Sequence, residues 1–269
     1  MSFKNVGSIK KKYLLSENHE NEEVQNQIYK YQAIDKILTQ IVELNSSSKN
    51  VKGVNKSEIN SKIVGVYSPD AHELQLPFSM ALSKSIGQSN VLFIDLEETS
   101  ILPELIDVAN GENMMDLLYE ISTENDVELD KYIHQYMGFD YIEPFMNPNE
   151  ITEIDEETWN AFFEKIKNLN YEYVVVLFGR TINGFSKVLE NVRQLYVLGK
   201  AGDYYQKCQN KFLEYLNRIG YAGEMTKVIL PMSATNLTEG TYCIGELLQG
   251  NLGLFVKKLL YSEVSDGRY

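Results

Sequence analysis

The stretch from residue 64 to residue 98 has the layout of a phosphate-binding site. A short apolar run, 64–67, ends at Ser68-Pro69, and a helical pattern then leads to a second apolar run that ends at Asp95. In a phosphate-binding loop, glycines let backbone N–H groups surround the β-phosphate, a lysine neutralises charge, and a Ser or Thr hydroxyl holds Mg²⁺. The spacing therefore makes nucleotide chemistry the first hypothesis for this segment.

The residues of the loop itself do not supply that chemistry. They are Asp70, Ala71, His72, Glu73, Leu74, Gln75, Leu76 and Pro77. Leu74 stands in place of the last glycine, Gln75 in place of the lysine, and Leu76 in place of the metal-binding hydroxyl. Each acid about 4–6 Å from a phosphate would cost on the order of 1–4 kcal/mol at a surface-like dielectric. The loop is expected to exclude phosphate; an ordinary strand–turn–helix of another α/β fold is the alternative interpretation.

The elements that position this loop follow an alternating pattern. Strand-length apolar runs occur at 63–67, 91–95, 173–178, 194–198 and 226–230. Helical patterns lie at about 78–87, 101–120, 156–168 and 203–219. Such alternation predicts a mostly parallel sheet with helices on both faces, a three-layer αβα fold. The strands that start near Ile63, Val91 and Tyr173 are predicted to be parallel and adjacent in the middle of the sheet.

The amino-terminal part of the chain does not continue this pattern. Residues 46–61 are polar and rich in Gly, Ser and Asn, which is typical of a linker. Residues 1–45 combine a short apolar piece at 13–15 with a helical face between Ile34 and Ile41. They are too few to bury an independent core. We expect an arm that packs on the main domain, on another chain or on a further module.

The overall composition restricts the possible partners. The 269-residue chain carries 38 acidic and 25 basic residues, a formal charge of −13. This charge argues against non-specific nucleic-acid binding and against anionic membrane surfaces. Two cysteines, Cys208 and Cys243, and three scattered histidines argue against a disulfide framework, a zinc site or a catalytic triad. Because no apolar run approaches roughly 18 residues, we expect a cytoplasmic protein without membrane insertion.

Several segments between residues 62 and 260 occur in an order and at spacings that are typical of a known protein family. They include KIVGVYSP at 62–69, IDLEETS at 94–100, MMDLLYEI at 114–121, YEYVVVLFG at 171–179 and IGELLQGNLGLFVKKLL at 244–260. Together they resemble the MinD/ParA family of deviant-Walker P-loop ATPases. More narrowly, they are similar to the TadZ/CpaE-type pseudo-ATPase branch, which localises Flp/Tad pilus assembly machinery.

The resemblance implies a P-loop NTPase-like domain over 62–269 with functional positions that this chain has mostly lost. The Walker B aspartate position holds Leu177, and Asp70 or Ala71 stands where the signature lysine belongs. Asp95 matches the family aspartate that positions the attacking water; an Asp that closes a strand and caps the next segment is the other interpretation. The resemblance also implies dimerisation through the nucleotide face, and it identifies 1–45 with a remnant of a receiver-like domain.

Other residues have both a functional and a structural interpretation. Asp95, Glu97 and Glu98 could form a carboxylate metal site or a solvated acidic loop. Arg180 follows the former Walker B strand, where it could meet an anionic partner group or remain a surface arginine. Trp159 is expected to pack in the core. The helix at 252–260 is expected to dock on the fold and not on a membrane.

These observations favour a non-catalytic protein. With the glycines, lysine, hydroxyl and Walker B acid missing, nothing stabilises the charge of phosphoryl transfer, so we expect no catalytic residue, cofactor or metal. The leading hypothesis is a localisation or assembly scaffold that binds protein partners, as a homodimer, through the former nucleotide face. Leu74, Leu76, Leu177 and Phe178 are expected to make that face more apolar or to act as filler. The alternative is a switch that binds ATP without hydrolysis; an enzyme of unrelated chemistry is the weakest hypothesis.

Overall fold

The computed structural model describes residues 14–16, 27–29, 60–86, 90–107, 111–123, 127–230 and 243–265. The chain divides into two compact units, Met1–Ser57 and Glu58–Tyr269. In the first unit, strands β1 (Leu14–Ser16) and β2 (Gln27–Tyr29) form a parallel pair. The predicted helical face between Ile34 and Ile41 lies outside the described residues, as does the predicted linker up to residue 59.

The second unit is built on a seven-stranded sheet. Its strands are β3 (Lys62–Tyr67), β4 (Val91–Leu96), β5 (Ile133–Tyr136), β6 (Phe139–Ile142), β7 (Tyr173–Phe178), β8 (Gln194–Gly199) and β9 (Glu224–Ile229). Their order across the sheet is β5-β6-β4-β7-β3-β8-β9, and all neighbours are parallel except β5 and β6. The mostly parallel sheet that the sequence predicts is confirmed, with one antiparallel strand at an edge.

The three strands expected in the middle of the sheet are parallel and contiguous. β7 lies between β3 and β4, with Val175 opposite Val64 on one side and opposite Phe93 on the other. All six residues of β7 are buried, which explains why its sequence, YVVVLF, is apolar throughout and does not alternate. β3 and β4 therefore each pair with β7 and not with one another.

Helices cover both faces of this sheet. They are α1 (Gln75–Ile86), α2 (Leu102–Ile106), α3 (Met114–Thr123), α4 (Glu150–Glu153), α5 (Glu156–Lys167), α6 (Phe185–Leu189), α7 (Asp203–Arg218), α8 (Ile244–Gln249) and α9 (Asn251–Ser265). A 3₁₀ turn spans Leu129–Tyr132. One core cluster joins the sheet to α3, α5, α6 and α7, and a second joins its other face to α1, α2, α8 and α9. The unit is thus a three-layer αβα fold.

The prediction of a single helix over 101–120 is wrong. The described residues there form α2 and α3, which belong to different core clusters. α2 ends where Asp107 takes a left-handed backbone conformation, with φ of 54°. α3 starts anew because Asn113 Oδ1 accepts the Met115 N–H at 2.8 Å, while Asp116 Oδ2 accepts the Asn113 N–H at 3.0 Å. The reciprocal cap at Asn113 fixes the beginning of a second helix inside one apolar pattern.

The core position predicted for Trp159 is confirmed. Its helix, α5, begins where Asp155 Oδ1 accepts the Thr158 N–H at 2.8 Å, the geometry of an N-cap. Trp159 follows in the first turns, is fully buried and contacts the rings of Phe145 and Phe163. The aromatic residues of α5 therefore stabilise the fold and take no part in the candidate site.

The carboxyl-terminal segment forms two helices that meet at Gly250. The Gly250 N–H donates to Glu246 O at 2.7 Å and closes α8. α9 buries Leu252 and Val256 and packs against α1, so docking of this segment on the fold is confirmed. Across the described residues, each helix is too short or too polar to serve as a membrane span.

Candidate functional site

The loop between β3 and α1 lies at the carboxyl edge of the sheet. β3 ends at Tyr67, and the chain crosses to α1, which begins at Gln75; we call residues 68–77 the emptied loop. Because β3, β4, β7 and β8 are parallel, their carboxyl ends reach the same edge. Ligands of open α/β sheets bind at this edge. The emptied loop and the turns after β4 and β7 therefore form the candidate site.

Backbone N–H groups of the emptied loop bind the loop itself. The Ala71 N–H donates to Ser68 O at 3.2 Å, and the His72 N–H donates to Ser68 Oγ at 3.0 Å. The Leu74 N–H donates to His72 Nδ1 at 3.0 Å, and the Gln75 N–H donates to His72 O at 2.9 Å. A phosphate-binding loop directs such N–H groups at its ligand. Four donors of this loop are already satisfied within the protein.

Leucines fill the space beside the emptied loop. Leu74, Leu76 and Leu177 are 0%, 5% and 0% exposed and belong to the core cluster on the α1 face. Pro77 is buried in the first turn of α1, and Phe178 is buried on the other face of the sheet. The expectation that Leu74, Leu76, Leu177 and Phe178 give a partner-binding face its apolar character is wrong, because the core of the protein itself takes them up. They are filler.

Two titratable groups of the emptied loop, Glu73 and His72, have partners within the protein. Lys200, which follows β8, forms an ion pair with Glu73 at 2.6 Å. Partial burial is the largest single effect and favours the protonated form of Glu73, but the hydrogen bond from Lys200, a backbone hydrogen bond and the nearby positive charge together lower the pKa of that carboxyl. Burial lowers the pKa of His72, whose Nδ1 accepts the Leu74 N–H, so the imidazole is neutral with its hydrogen on Nε2. Lys200 is committed to Glu73 and not to a ligand.

The end of β4 and the turn that follows it, residues 95–100, carry three acids, and we call this segment the acidic turn. Asp95 is fully buried. Its Oδ1 accepts the Glu97 N–H at 2.9 Å, and its Oδ2 accepts the Ser100 hydroxyl. Asp95 therefore holds the turn together, in keeping with its structural interpretation. The expectation of a solvated acidic loop is wrong for Asp95, because the hydrogen bonds it accepts allow its burial.

The other two acids of the turn reach neighbouring elements. Glu97 Oε1 accepts a hydrogen bond from Gln75 Nε2, at the former lysine position, and Glu98 Oε1 accepts one from the backbone N–H of Arg180. The Arg180 side chain is exposed. Burial raises the pKa of Glu97, and the negative charge of Asp95 raises it further, against the effect of the Gln75 hydrogen bond. Burial likewise raises the pKa of Asp95.

ATP with Mg²⁺, the ligand of intact proteins of the resembling family, does not fit the residues present. The position for a metal-holding hydroxyl carries Leu76, and the Walker B position carries Leu177; both are buried and apolar. The lysine position is held by Gln75, which is bound to Glu97. Within the part of the chain that the structure describes, no three His, Cys, Asp or Glu side chains group as a metal site requires.

Two contacts of the site could not be read from the sequence. Gln75 and Glu97 lie 22 residues apart, and no periodicity joins them. Lys200 and Glu73 come from different strand–helix connections. The sequence offers one weak signal for each contact. A polar or charged residue stands in a loop that should hold phosphate, and a residue of opposite charge or a hydrogen-bonding residue occurs in another loop. Their pairing follows from the strand order, which the sequence does not specify.

Comparisons with known proteins were made for the whole chain. No protein-family model matches the sequence, and no curated protein matches it. A plasmid partition protein from Borrelia burgdorferi is structurally similar with a TM-score of 0.58 and 15% identity, over 76% of this chain and 99% of that chain. A ParA family ATPase from Chlorobium tepidum TLS gives a TM-score of 0.53 and 15% identity, over 64% and 74%.

A third similar structure is the MinC:MinD cell division protein complex of Aquifex aeolicus. Its TM-score is 0.51 at 16% identity, and the match covers 74% of this chain and 78% of that chain. Identities this low establish the fold and not the activity. In this chain, the parallel strands β4-β7-β3-β8 form the middle of the sheet, with helices on both faces. The chain therefore has the three-layer α/β fold of the ParA/MinD-type P-loop ATPases.

Proposed function

We propose that this chain is a non-hydrolysing protein of the ParA/MinD-type fold that acts as a cytoplasmic localisation or assembly scaffold through protein–protein contacts. The observation that carries this proposal is the state of the emptied loop. Four of its N–H groups are bound within the loop, and Gln75 at the lysine position is bound to Glu97. A loop in this condition offers a triphosphate neither donors nor a cation. In this proposal, the carboxyl edge of the sheet serves as a surface for protein partners.

The resemblance to TadZ/CpaE-type proteins suggests the system that the scaffold serves. It is the assembly of a pilus or secretion-type machinery, which such proteins localise. One structure of similar fold is a complex of two cell division proteins, MinC and MinD. This supports a protein partner for the fold in general. For this chain, we include self-association as a homodimer in the proposal.

The contact surface is proposed at the carboxyl edge of the sheet. Three large apolar side chains are exposed in segments that follow its strands: Ile101 after β4, Met146 after β6 and Tyr204 after β8. Their exposed fractions are 51%, 63% and 71%. Aromatic residues and Met are enriched in protein interfaces, where they fill pockets of the partner. These residues replace the buried leucines as the candidates for contact.

Sedimentation of the full chain with and without ATP–Mg²⁺ tests the surface. We expect a dimer that nucleotide does not change and that Ile101→Asp with Met146→Asp dissociates, because two buried charges would oppose the interface. Ile219→Asp is the matched control, since Ile219 is 38% exposed after α7, at the amino edge. A dimer that appears only with ATP–Mg²⁺ would favour the alternative, an ATP-binding switch.

The absence of chemistry is tested by turnover and calorimetry. We expect no ATP or GTP hydrolysis above background, and no rescue by Gln75→Lys, because Leu76 and Leu177 still provide no ligand for Mg²⁺. Isothermal titration with ATP–Mg²⁺ should show no binding heat. Hydrolysis that Asp95→Ala abolishes would refute the proposal, and binding without hydrolysis would leave the switch as the better account.

A further inference from the structure

Glu97 has an unusual partner for a buried acid. It lies on the acidic turn, half-buried, and its Oε1 accepts a hydrogen bond from the side-chain amide of Gln75. Gln75 is the first residue of α1 and occupies the lysine position of a phosphate-binding loop. The amide–carboxyl contact therefore joins the acidic turn to the emptied loop at the point where a lysine would meet a phosphate.

The acceptor of the same amide has no donor. Gln75 Oε1 is buried and makes no hydrogen bond with any residue the structure describes. A buried acceptor without a donor costs roughly 1–3 kcal/mol. An ionised Glu97 only accepts hydrogen bonds and cannot help, whereas a protonated Glu97 carries an O–H that can donate. A neutral Glu97, already held by the amide nitrogen, can supply the donor that the amide oxygen lacks.

The charges around Glu97 also disfavour its ionised form. On its own turn it faces Asp95, which is fully buried, and Glu98. From α1 it meets Gln75, which is neutral. Among the described residues, no lysine, arginine or histidine forms an ion pair with any of these three acids. Arg180 meets Glu98 through its backbone N–H, and Lys200 of the β8–α7 connection is paired with Glu73.

We propose that Glu97 is held as a neutral carboxylic acid in a two-hydrogen-bond pair with the Gln75 amide, and that its ionisation releases the acidic turn from the emptied loop. In this pair, Gln75 Nε2 donates to one carboxyl oxygen and the protonated oxygen donates to Gln75 Oε1. When the proton leaves, the second bond is lost and Glu97 becomes an uncompensated charge beside Asp95. The pair is a pH-sensitive contact that goes beyond the scaffold role and does not depend on it.

The direction of the pH effect follows from linkage. Because burial raises the pKa of Glu97 above the unfolded value, the folded chain binds more protons, and stability is greatest below the unfolded pKa. It is lost as pH rises through the folded pKa. The contact should thus hold in mildly acidic and neutral solution, where exposed glutamates are already ionised, and open as the pH rises through the folded pKa of about 8.

The first test is an NMR titration of the glutamate side-chain carboxyl carbons in the full chain. Glu97→Gln identifies the Glu97 signal by its loss, and Glu104→Gln, which removes an exposed acid of α2, is the matched control. We expect the Glu97 signal to titrate at least one unit above the ordinary glutamate value of about 4.3. A Glu97 signal that titrates with the exposed glutamates would overturn the proposal.

The second test places a cation in the contact. Gln75→Lys should shift the Glu97 titration down, to or below the ordinary value of about 4.3, because the ammonium stabilises the carboxylate. Glu97→Gln keeps both hydrogen bonds in neutral form, so its stability should fall less than that of the wild type as the pH rises from about 5 to 9, and the remaining fall is due to Asp95. A pH profile of Glu97→Gln identical to that of the wild type would show that the pair does not control the turn. Neither readout involves nucleotide turnover or partner binding, so failure here is distinct from failure of the scaffold role.

Discussion

Ala71 occupies a backbone conformation that glycine usually takes. Its φ is 49°, in the left-handed region, and it lies in the middle of the emptied loop. A residue with a Cβ atom loses roughly 1–2 kcal/mol in that region, whereas glycine enters it freely. The loop therefore makes, with alanine, a turn that glycine would make without strain. Ser68 secures this turn through the N–H groups of Ala71 and His72.

Replacing Ala71 with glycine should relieve this strain. We expect Ala71→Gly to raise the free energy of unfolding by up to about 1 kcal/mol. This net value is the backbone strain that is relieved minus the cost of the greater conformational entropy of glycine in the unfolded chain. Urea denaturation measures the change. Ala161→Gly, in the interior of α5, is the control and should lower the same quantity by about 1 kcal/mol. Equal losses in both variants would mean that Ala71 is unstrained.

At the scale of elements, one buried side-chain amide joins α7 to two strands of the sheet. Gln209 is 1% exposed, and its Nε2 donates to Val197 O at 2.6 Å and to Val228 O at 3.2 Å. These carbonyls belong to β8 and β9, so one amide joins a helix to two strands. Gly199 leaves room for it, since a Cβ there would lie 3.0 Å from Gln209 Cδ. Packing and hydrogen bonding are therefore coupled at this point.

A double-mutant cycle tests this coupling. Gly199→Ala should lower the free energy of unfolding by about 1–3 kcal/mol, because the methyl group displaces Gln209 and frees buried polar groups. In the Gln209→Ala background the same change should cost little, since the space is then open. Urea denaturation of the four proteins gives the interaction energy. Additive effects would show that Gly199 and Gln209 act independently.

The elements that the sequence predicts well are those with a complete apolar pattern. β7 and α5 satisfy both length and spacing, so their positions and burial follow from the sequence. β5 was not predicted, because Ile133–Tyr136 contains His and Gln and is only half-buried at the sheet edge. The boundary between α2 and α3 depends on the side-chain cap of Asn113. The periodicity of apolar residues carries no information about such a cap.

The sequence predicted which ligand-binding residues the candidate site lacks, but not the contacts that its own residues form. The residue types at Leu76 and Leu177 indicate that metal ligands are missing, and this needs only the register of the loop and strand. Whether Leu76 and Leu177 are buried depends on the face of the sheet to which each side chain points. The sequence does not show that both lie on the α1 face; the sheet topology does. The Gln75–Glu97 contact depends on side-chain conformations that no sequence pattern specifies.

At the scale of the whole molecule, the second unit contains the two large core clusters that the described residues form. Both large core clusters consist of residues from Glu58–Tyr269. A unit with its own core on each face of a sheet is expected to fold alone. The receiver-like origin of the amino-terminal unit, which the family resemblance implies, stays a prediction.

A fragment of residues 58–269 should therefore unfold like the full chain. We expect a single urea transition whose free energy agrees with that of the intact protein within about 10–15%, the error of extrapolating such values. A fragment lacking residues 1–29 is a useful comparison, since it removes both β1 and β2. A marked loss of stability in the 58–269 fragment would show that the amino-terminal unit contributes to the fold of the second.

The burial of the three leucines has a consequence for the history of the protein. Each single step back toward a working phosphate site removes a leucine from the core: Leu74 for a glycine, Leu76 for a hydroxyl residue, Leu177 for an aspartate. Shortening a buried leucine costs about 2–5 kcal/mol, and typical proteins have only about 5–15 kcal/mol to lose. No such step alone restores binding, because the lysine and the other ligands are still missing. On the proposed function, each such change lowers stability before it gains an activity, so a return to a nucleotide-binding site through single substitutions is disfavoured.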